Sequence, residues 1–205
     1  DRVTGPRQSR FIAFYTSTFG IGTSLSLLLS GWLGRWIAWN WAFGLLAAGP
    51  LAAALIVFFG LTPLEPARLT GRRPSLIGNF TVLRDRSVLG YVLRYAAHCW
   101  ELFGLRSWMV AFILFGYGIA QSGQPMLSAT EAAAAINFLG IPASILGNEA
   151  AGRFGRSRCI PLAMAVSGTL AWLAGFSAGW PWWVMVLLLA VYFIASRSDS
   201  AALTA

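Results

Sequence analysis

Residues 91–112 read YVLRYAAHCWELFGLRSWMVAF. The stretch is apolar enough to cross a bilayer, yet it carries Arg94, His98, Glu101 and Arg106. A charge inside a membrane helix costs a few kcal/mol even on lenient insertion scales, about 3 kcal/mol at the centre, so it signals function by default. At about 100° per residue, Arg94, His98, Glu101, Leu105, Trp108 and Phe112 form one stripe, with Arg106 roughly 120° from Arg94. That stripe should face water, a substrate or a partner helix, not lipid.

Composition supports the membrane reading. The chain has 205 residues, 57% hydrophobic and 11% charged, with a mean hydropathy of +0.66; a soluble domain carries about 25% charged residues. The net charge of +8, all fifteen basic residues being Arg, would suggest nucleic acid in a soluble protein. Here it is accounted for by membrane orientation, and no nucleic-acid partner is expected. Cys99 and Cys159 make no disulfide framework. The chain starts at Asp1 without a signal-peptide pattern and stops inside an apolar run, as expected for an internal piece of a longer membrane protein whose remaining helices would be its partners.

A bilayer core needs about 20 apolar residues per helix. Six stretches qualify: 11–33, 38–60, 88–116, 128–148, 160–179 and 182–204. Residues 61–87, with Pro63, Pro66, Gly71, Pro74 and five Arg, read as a polar linker. This divides the chain into 1–60, the end of one helical bundle, the linker 61–87, and 88–205, part of a second bundle. Arg placement orients the crossings: Arg2, Arg7, Arg10, the five linker Arg, Arg153, Arg156 and Arg158 lie on one side, Arg35 alone on the other. Eleven against one makes the first side cytoplasmic, the first crossing outward and the sixth inward. Trp32, Trp36, Trp39 and Trp41, and Trp180, Trp182 and Trp183, mark the outer interface.

Polar residues concentrate on the third and sixth crossings. The fourth adds Glu131 near its outer end and Asn137 near its middle, and the sixth Arg197 and Asp199. The chain resembles the major facilitator superfamily, secondary transporters with two six-helix halves, over all 205 residues by topology. The basic linker resembles the loop between the halves, and the six crossings correspond to helices five to ten of twelve. In that family helices one, four, seven and ten line the central cavity, and here the charged crossings are the seventh and tenth. Arg153-Phe154-Gly155-Arg156-Ser157-Arg158 is similar to the end of the family's cytoplasmic loop signature, with Gly152 where Asp is usual and Glu149 as a substitute acid. The resemblance implies a conformational latch at Glu149, Arg153, Gly155 and Arg156. Gly20, Gly22, Ser26, Ser30 and Gly31 give small residues suited to close packing. The Gly-Pro pair of the antiporter version is absent from that helix.

The residues then suggest a chemistry. Glu101 is the first choice for a proton-coupling carboxylate, because burial raises a carboxylate pKa toward neutrality. His98, one turn away, could relay protons. Arg94 and Arg106 could hold an anion bidentately, and Asn137 and Asp199 complete the candidate set. Structural readings stand beside these: an Arg94–Glu101 pair, an Arg106 that snorkels to the outer interface, an Arg197–Asp199 gate pair or end cap, and Asn137 as a helix–helix hydrogen bond. Gly175-Phe176-Ser177-Ala178-Gly179 matches G-x-S-x-G but lacks the strand of a nucleophile elbow. No metal spacing, phosphate loop or dinucleotide fingerprint is present, so neither metal, cofactor nor enzymatic activity is expected. Asn79-Phe80-Thr81 is a glycosylation pattern on the wrong side of the membrane. The expectation is an all-α polytopic protein of the cell membrane, a bacterial inner membrane, carrying a small anion with protons. The alternatives are efflux of amphipathic compounds, a non-transporting scaffold or receptor, and a membrane hydrolase using Ser177.

Overall fold

The computed structural model describes residues 8–61, 84–120 and 123–200. Arg2, Arg7, most of the linker (Arg68, Arg72, Arg73) and the Asn79 pattern lie outside the described residues, as does the Arg10 side chain. Among the described residues seven helices follow: α1 Gln8–Leu33, α2 Trp39–Leu46, α3 Ala48–Gly60, α4 Arg86–Ile119, α5 Ala129–Phe154, α6 Arg156–Gly175 and α7 Trp182–Ser198. No strand is present among the described residues.

Among the described residues, four helical stretches are long and apolar enough to cross a membrane: Trp39–Gly60, Arg86–Ile119, Ala129–Phe154 and Arg156–Gly175. The shorter apolar helices Thr18–Leu33 and Trp182–Ser198 occupy the first and sixth expected crossings. The second crossing is broken at Ala47. Pro50 explains the break, because proline has no N–H and its ring crowds the carbonyl four residues back, at Leu46. The fifth crossing starts at Arg156 and ends at Gly175, earlier at both ends than the apolar run suggested. After Gly175 the chain turns: the Ser177 hydroxyl donates to the Ala174 carbonyl at 2.8 Å, and Pro181 precedes the first residue of α7.

The chain falls into two compact units, Asp1–Trp32 with His98–Ala205, and Leu33–Ala97. The second unit holds α2 and α3. Its side chains are mostly exposed, with Trp36, Trp39 and Trp41 at 75%, 77% and 70%, as suits rings at a lipid–water boundary rather than a packed aromatic box. The first unit holds the core: Met109, Ile113, Ile136, Met185 and Phe193 are at most 2% exposed.

Small residues set the helix spacing in that unit. A Cβ on Gly116 of α4 would overlap Met185 of α7. Arg106 lies over the Phe193 ring, and His98 meets Ser200 just past α7. As numbers fall on α4 they rise on α7, so the two run antiparallel. A Cβ on Gly140 of α5 would meet Phe193 and Arg197, and one on Gly147 would overlap the Ser198 backbone, so α5 and α7 run parallel. Gly20 abuts Ile141 at 3.2 Å and Gly31 abuts Thr130, so α1 runs against α5. These directions match the alternation read from Arg. Of the small residues of α1 singled out in the sequence, Gly20 and Gly31 make close contacts, while Gly22 has open space. Ser24, which that pattern omitted, is fully buried, its hydroxyl bound to the Gly20 carbonyl at 2.9 Å.

Candidate functional site

The polar residues of α4 and α7 meet within the first unit. His98 Nδ1 lies 3.0 Å from Asp199 Oδ1, an ion-pair distance between groups 5% and 3% exposed, off the line of a hydrogen bond. His98 Nε2 lies 2.8 Å from Ser200 Oγ, and Arg197 Nη1 donates to the same hydroxyl at 3.1 Å. Ser200 can therefore donate to a neutral imidazole or accept from a protonated one while keeping its arginine partner. Residues about a hundred positions apart form one connected set.

Glu101 is partly buried. Its carboxylate faces the hydroxyls of Ser167 on α6 and Tyr192 on α7, with Asp199 and His98 as charged neighbours; its Oε1 has no hydrogen-bond partner. Above it lies an apolar cavity of about 190 Å³ lined by Leu105, Trp108, Phe112, Ala174, Leu189 and Tyr192.

Arg106 points to the other side of the α4–α7 seam. Its guanidinium carbon is 4.6 Å from the centre of the Phe19 ring on α1 and 5.6 Å from that of Phe193 on α7. All three guanidinium nitrogens are buried without a hydrogen-bond partner. A snorkelling arginine would keep them in water, so this side chain does something else. Cation–π contact contributes about 2 kcal/mol at a buried ring such as Phe193 and about 0.5–1 kcal/mol at an exposed one such as Phe19, which offsets part of the desolvation but supplies no acceptor for the N–H groups.

Asn137 is 1% exposed. Its Nδ2 donates to the Ala133 carbonyl of its own helix at 2.9 Å and faces Met109 Sδ of α4 at 4.0 Å, while Oδ1 has no donor. The amide therefore closes on its own turn and touches α4 only through sulfur. Arg94 is partly buried on α4 and falls in the other compact unit, so it is not part of the cluster described for the first.

At the inner end, Gly155 separates α5 from α6 with φ 90° and ψ 132°, a conformation that favours glycine. Its carbonyl accepts the Cys159 N–H at 3.1 Å. Arg153 stands in the last turn of α5, where a cation suits the helix dipole. Arg156 opens α6 and is exposed, and Glu149 is partly buried on α5.

Arg197, read from sequence as an end cap or gate residue, is 5% exposed. Phe193, Arg197 and Ser200 at i, i+4 and i+7 share one helical face, and that periodicity was the signal available in the sequence. Tyr192 and Ser167 gave no such signal, since a lone hydroxyl on an apolar helix reads as packing. The Ser177 hydroxyl donates to the Ala174 carbonyl at the end of α6, and the ring nitrogens of His98 face Asp199 and Ser200. No group of three metal-ligating side chains occurs among the described residues.

A family model described as Major Facilitator Superfamily matches residues 1–204. Neither a curated protein nor a solved structure matches the chain.

Proposed function

Because the chain belongs to the major facilitator superfamily, a family of multi-pass membrane transporters, we propose that it carries a small anion coupled to protons by alternating access in the cell membrane, taken to be a bacterial inner membrane. The observation that carries this reading is Arg106: a desolvated guanidinium with no acceptor on any nitrogen, set between rings of two helices. In a low-dielectric site an unpaired cation attracts an anion strongly, and guanidinium is the side chain best shaped to hold one.

Proton coupling is supported by a second group of residues, across the α4–α7 seam from Arg106. His98, Asp199 and Glu101 cluster on the α4–α7 seam, and a buried carboxylate or imidazole changes proton affinity when its neighbours move. Glu101 is the proposed coupling carboxylate, with His98–Asp199 as its relay. Asn137 is proposed as a substrate contact, and Arg94 as a guanidinium able to hold an anion. Glu149, Arg153, Gly155 and Arg156 are proposed to latch the inner ends of α5 and α6 in one of the two states. Bound lipid would cover the exposed apolar faces.

The test is reconstitution of the full-length protein in liposomes with an imposed pH gradient. Uptake of a small anion should follow the gradient. Glu101→Gln or Asp199→Asn should cut gradient-driven uptake at least tenfold while leaving anion exchange across equal pH measurable. Uptake indifferent to the gradient would reject proton coupling. The cavity above Glu101, lined by Trp108, Phe112 and Tyr192, favours a second reading, efflux of amphipathic compounds. Expulsion of a hydrophobic cation dye, with no anion flux, would decide for it.

A further inference from the structure

Arg106 has one charged neighbour among the described residues, and that neighbour is another cation, Arg197. The two share a surface. Arg106 lies over the Phe193 ring. A Cβ on Gly140 would meet that ring at 2.6 Å and Arg197 Nε at 3.5 Å. So Phe193 and Arg197, one turn apart on α7, lie together over Gly140, with Arg106 against the same ring. Arg197 Nε, like the three nitrogens of Arg106, is buried without a partner. Two guanidinium groups held near each other out of water repel unless an anion stands between them. The pairing joins α4 to α7, and Phe19 brings α1 to the same place.

We propose that Arg106 and Arg197 together form the anion site, and that its ligand is a small monocarboxylate with an apolar body. This rests on the anion-carrier reading and names the substrate class of its site. The charge follows from the neighbours. Arg197 is within reach of Asp199, which offsets its charge, whereas Arg106 has no carboxylate beside it, so one positive charge is left over. A monoanion balances it, while a second charge on the ligand would have no partner. The apolar body follows from the rings against Arg106: Phe19 and Phe193 give a ligand tail nothing polar to contact. A carboxylate presents two oxygens to guanidinium N–H groups that have no acceptor, and then places an uncharged remainder against those rings. Phosphate and sulfate would bring further charged oxygens to apolar walls, which is costly.

Benzoate, acetate, inorganic phosphate and sulfate are titrated, at constant ionic strength, onto the detergent-purified full-length protein, and binding is read from the melting temperature and intrinsic tryptophan fluorescence. Benzoate and acetate should bind saturably, benzoate more tightly, and phosphate and sulfate no better than chloride. Arg106→Gln and Arg197→Gln should each weaken benzoate binding at least tenfold. If Arg197→Gln does not fold, Arg197→Lys keeps the charge but loses the Nε donor and should weaken binding several-fold. Unchanged benzoate affinity in a folded Arg197 variant overturns the two-arginine site. Preference for phosphate or sulfate overturns the ligand class. In either case pH-driven uptake of some anion in liposomes would leave the carrier reading standing, and absence of all anion uptake would remove both.

Discussion

Gly147 and Gly22 are both helical glycines in apolar runs, yet their surroundings differ. A Cβ at Gly147 would run into the Ser198 backbone, whereas one at Gly22 meets nothing within 4 Å. Backbone cannot rotate away as a side chain can, so Gly147→Ala must push α5 from α7, at a cost of about 1–3 kcal/mol. Gly22→Ala adds helix propensity, about 1 kcal/mol in its favour. Thermal melts in detergent should show a lower melting temperature for the first and an equal or higher one for the second. Gly116 is intermediate: the atoms in the way belong to the flexible end of Met185, so Gly116→Ala should cost less than Gly147→Ala in the same melts. Arg106 shows the same dependence on surroundings. Its position on α4 was legible in the sequence, but its lack of an acceptor was not, since that depends on rings supplied by α1 and α7.

The elements carry their own signals. α5 begins at Ser128 with a capping box: the Ser128 hydroxyl accepts from the Glu131 N–H at 3.4 Å and Glu131 Oε2 accepts from the Ser128 N–H at 2.8 Å. Two otherwise unpaired donors at the helix start are satisfied reciprocally. Glu131 therefore works as a cap near the outer end. Ser128→Ala should lower stability by about 1 kcal/mol, visible as a drop in melting temperature with transport retained. The break between α2 and α3 belongs to Pro50, and Pro50→Ala should rejoin them into one helix. Hydrogen exchange at residues 46–51 should slow in that variant, and unchanged exchange would assign the break to packing instead. The six apolar runs were readable from length and hydropathy because burial in hydrocarbon demands them. Their ends were less so: α6 begins at Arg156, four residues before the apolar run, because Gly155 turns the chain there. Element ends follow from turns and caps, not from hydropathy.

The whole molecule makes an orientation testable. The Arg-rich ends belong inside, so in a Cys99→Ser, Cys159→Ser background a membrane-impermeant maleimide should label Trp36→Cys on intact cells and Arg153→Cys only after permeabilisation. Both parent residues are exposed, Trp36 at 75% and Arg153 at the end of α5, so access is set by the side of the membrane. The reverse pattern would invert the topology. The sequence by itself determined the class, the number of crossings, their alternation and the family, because a bilayer imposes composition, length and charge asymmetry on each segment separately. It also placed the unusual charges on the third and sixth crossings. Only the tertiary structure decided what those charges meet. Glu101, on the stripe, turns toward α6 while Arg106, off it, turns toward α1, so the charges of one helix divide between two sides of a seam. His98 finds Asp199 and Ser200, and Arg197 is drawn from the helix end into the interior beside Arg106. Such contacts join residues about a hundred positions apart, and they are set by where Gly116, Gly140 and Gly147 let helices approach, which no single segment can specify.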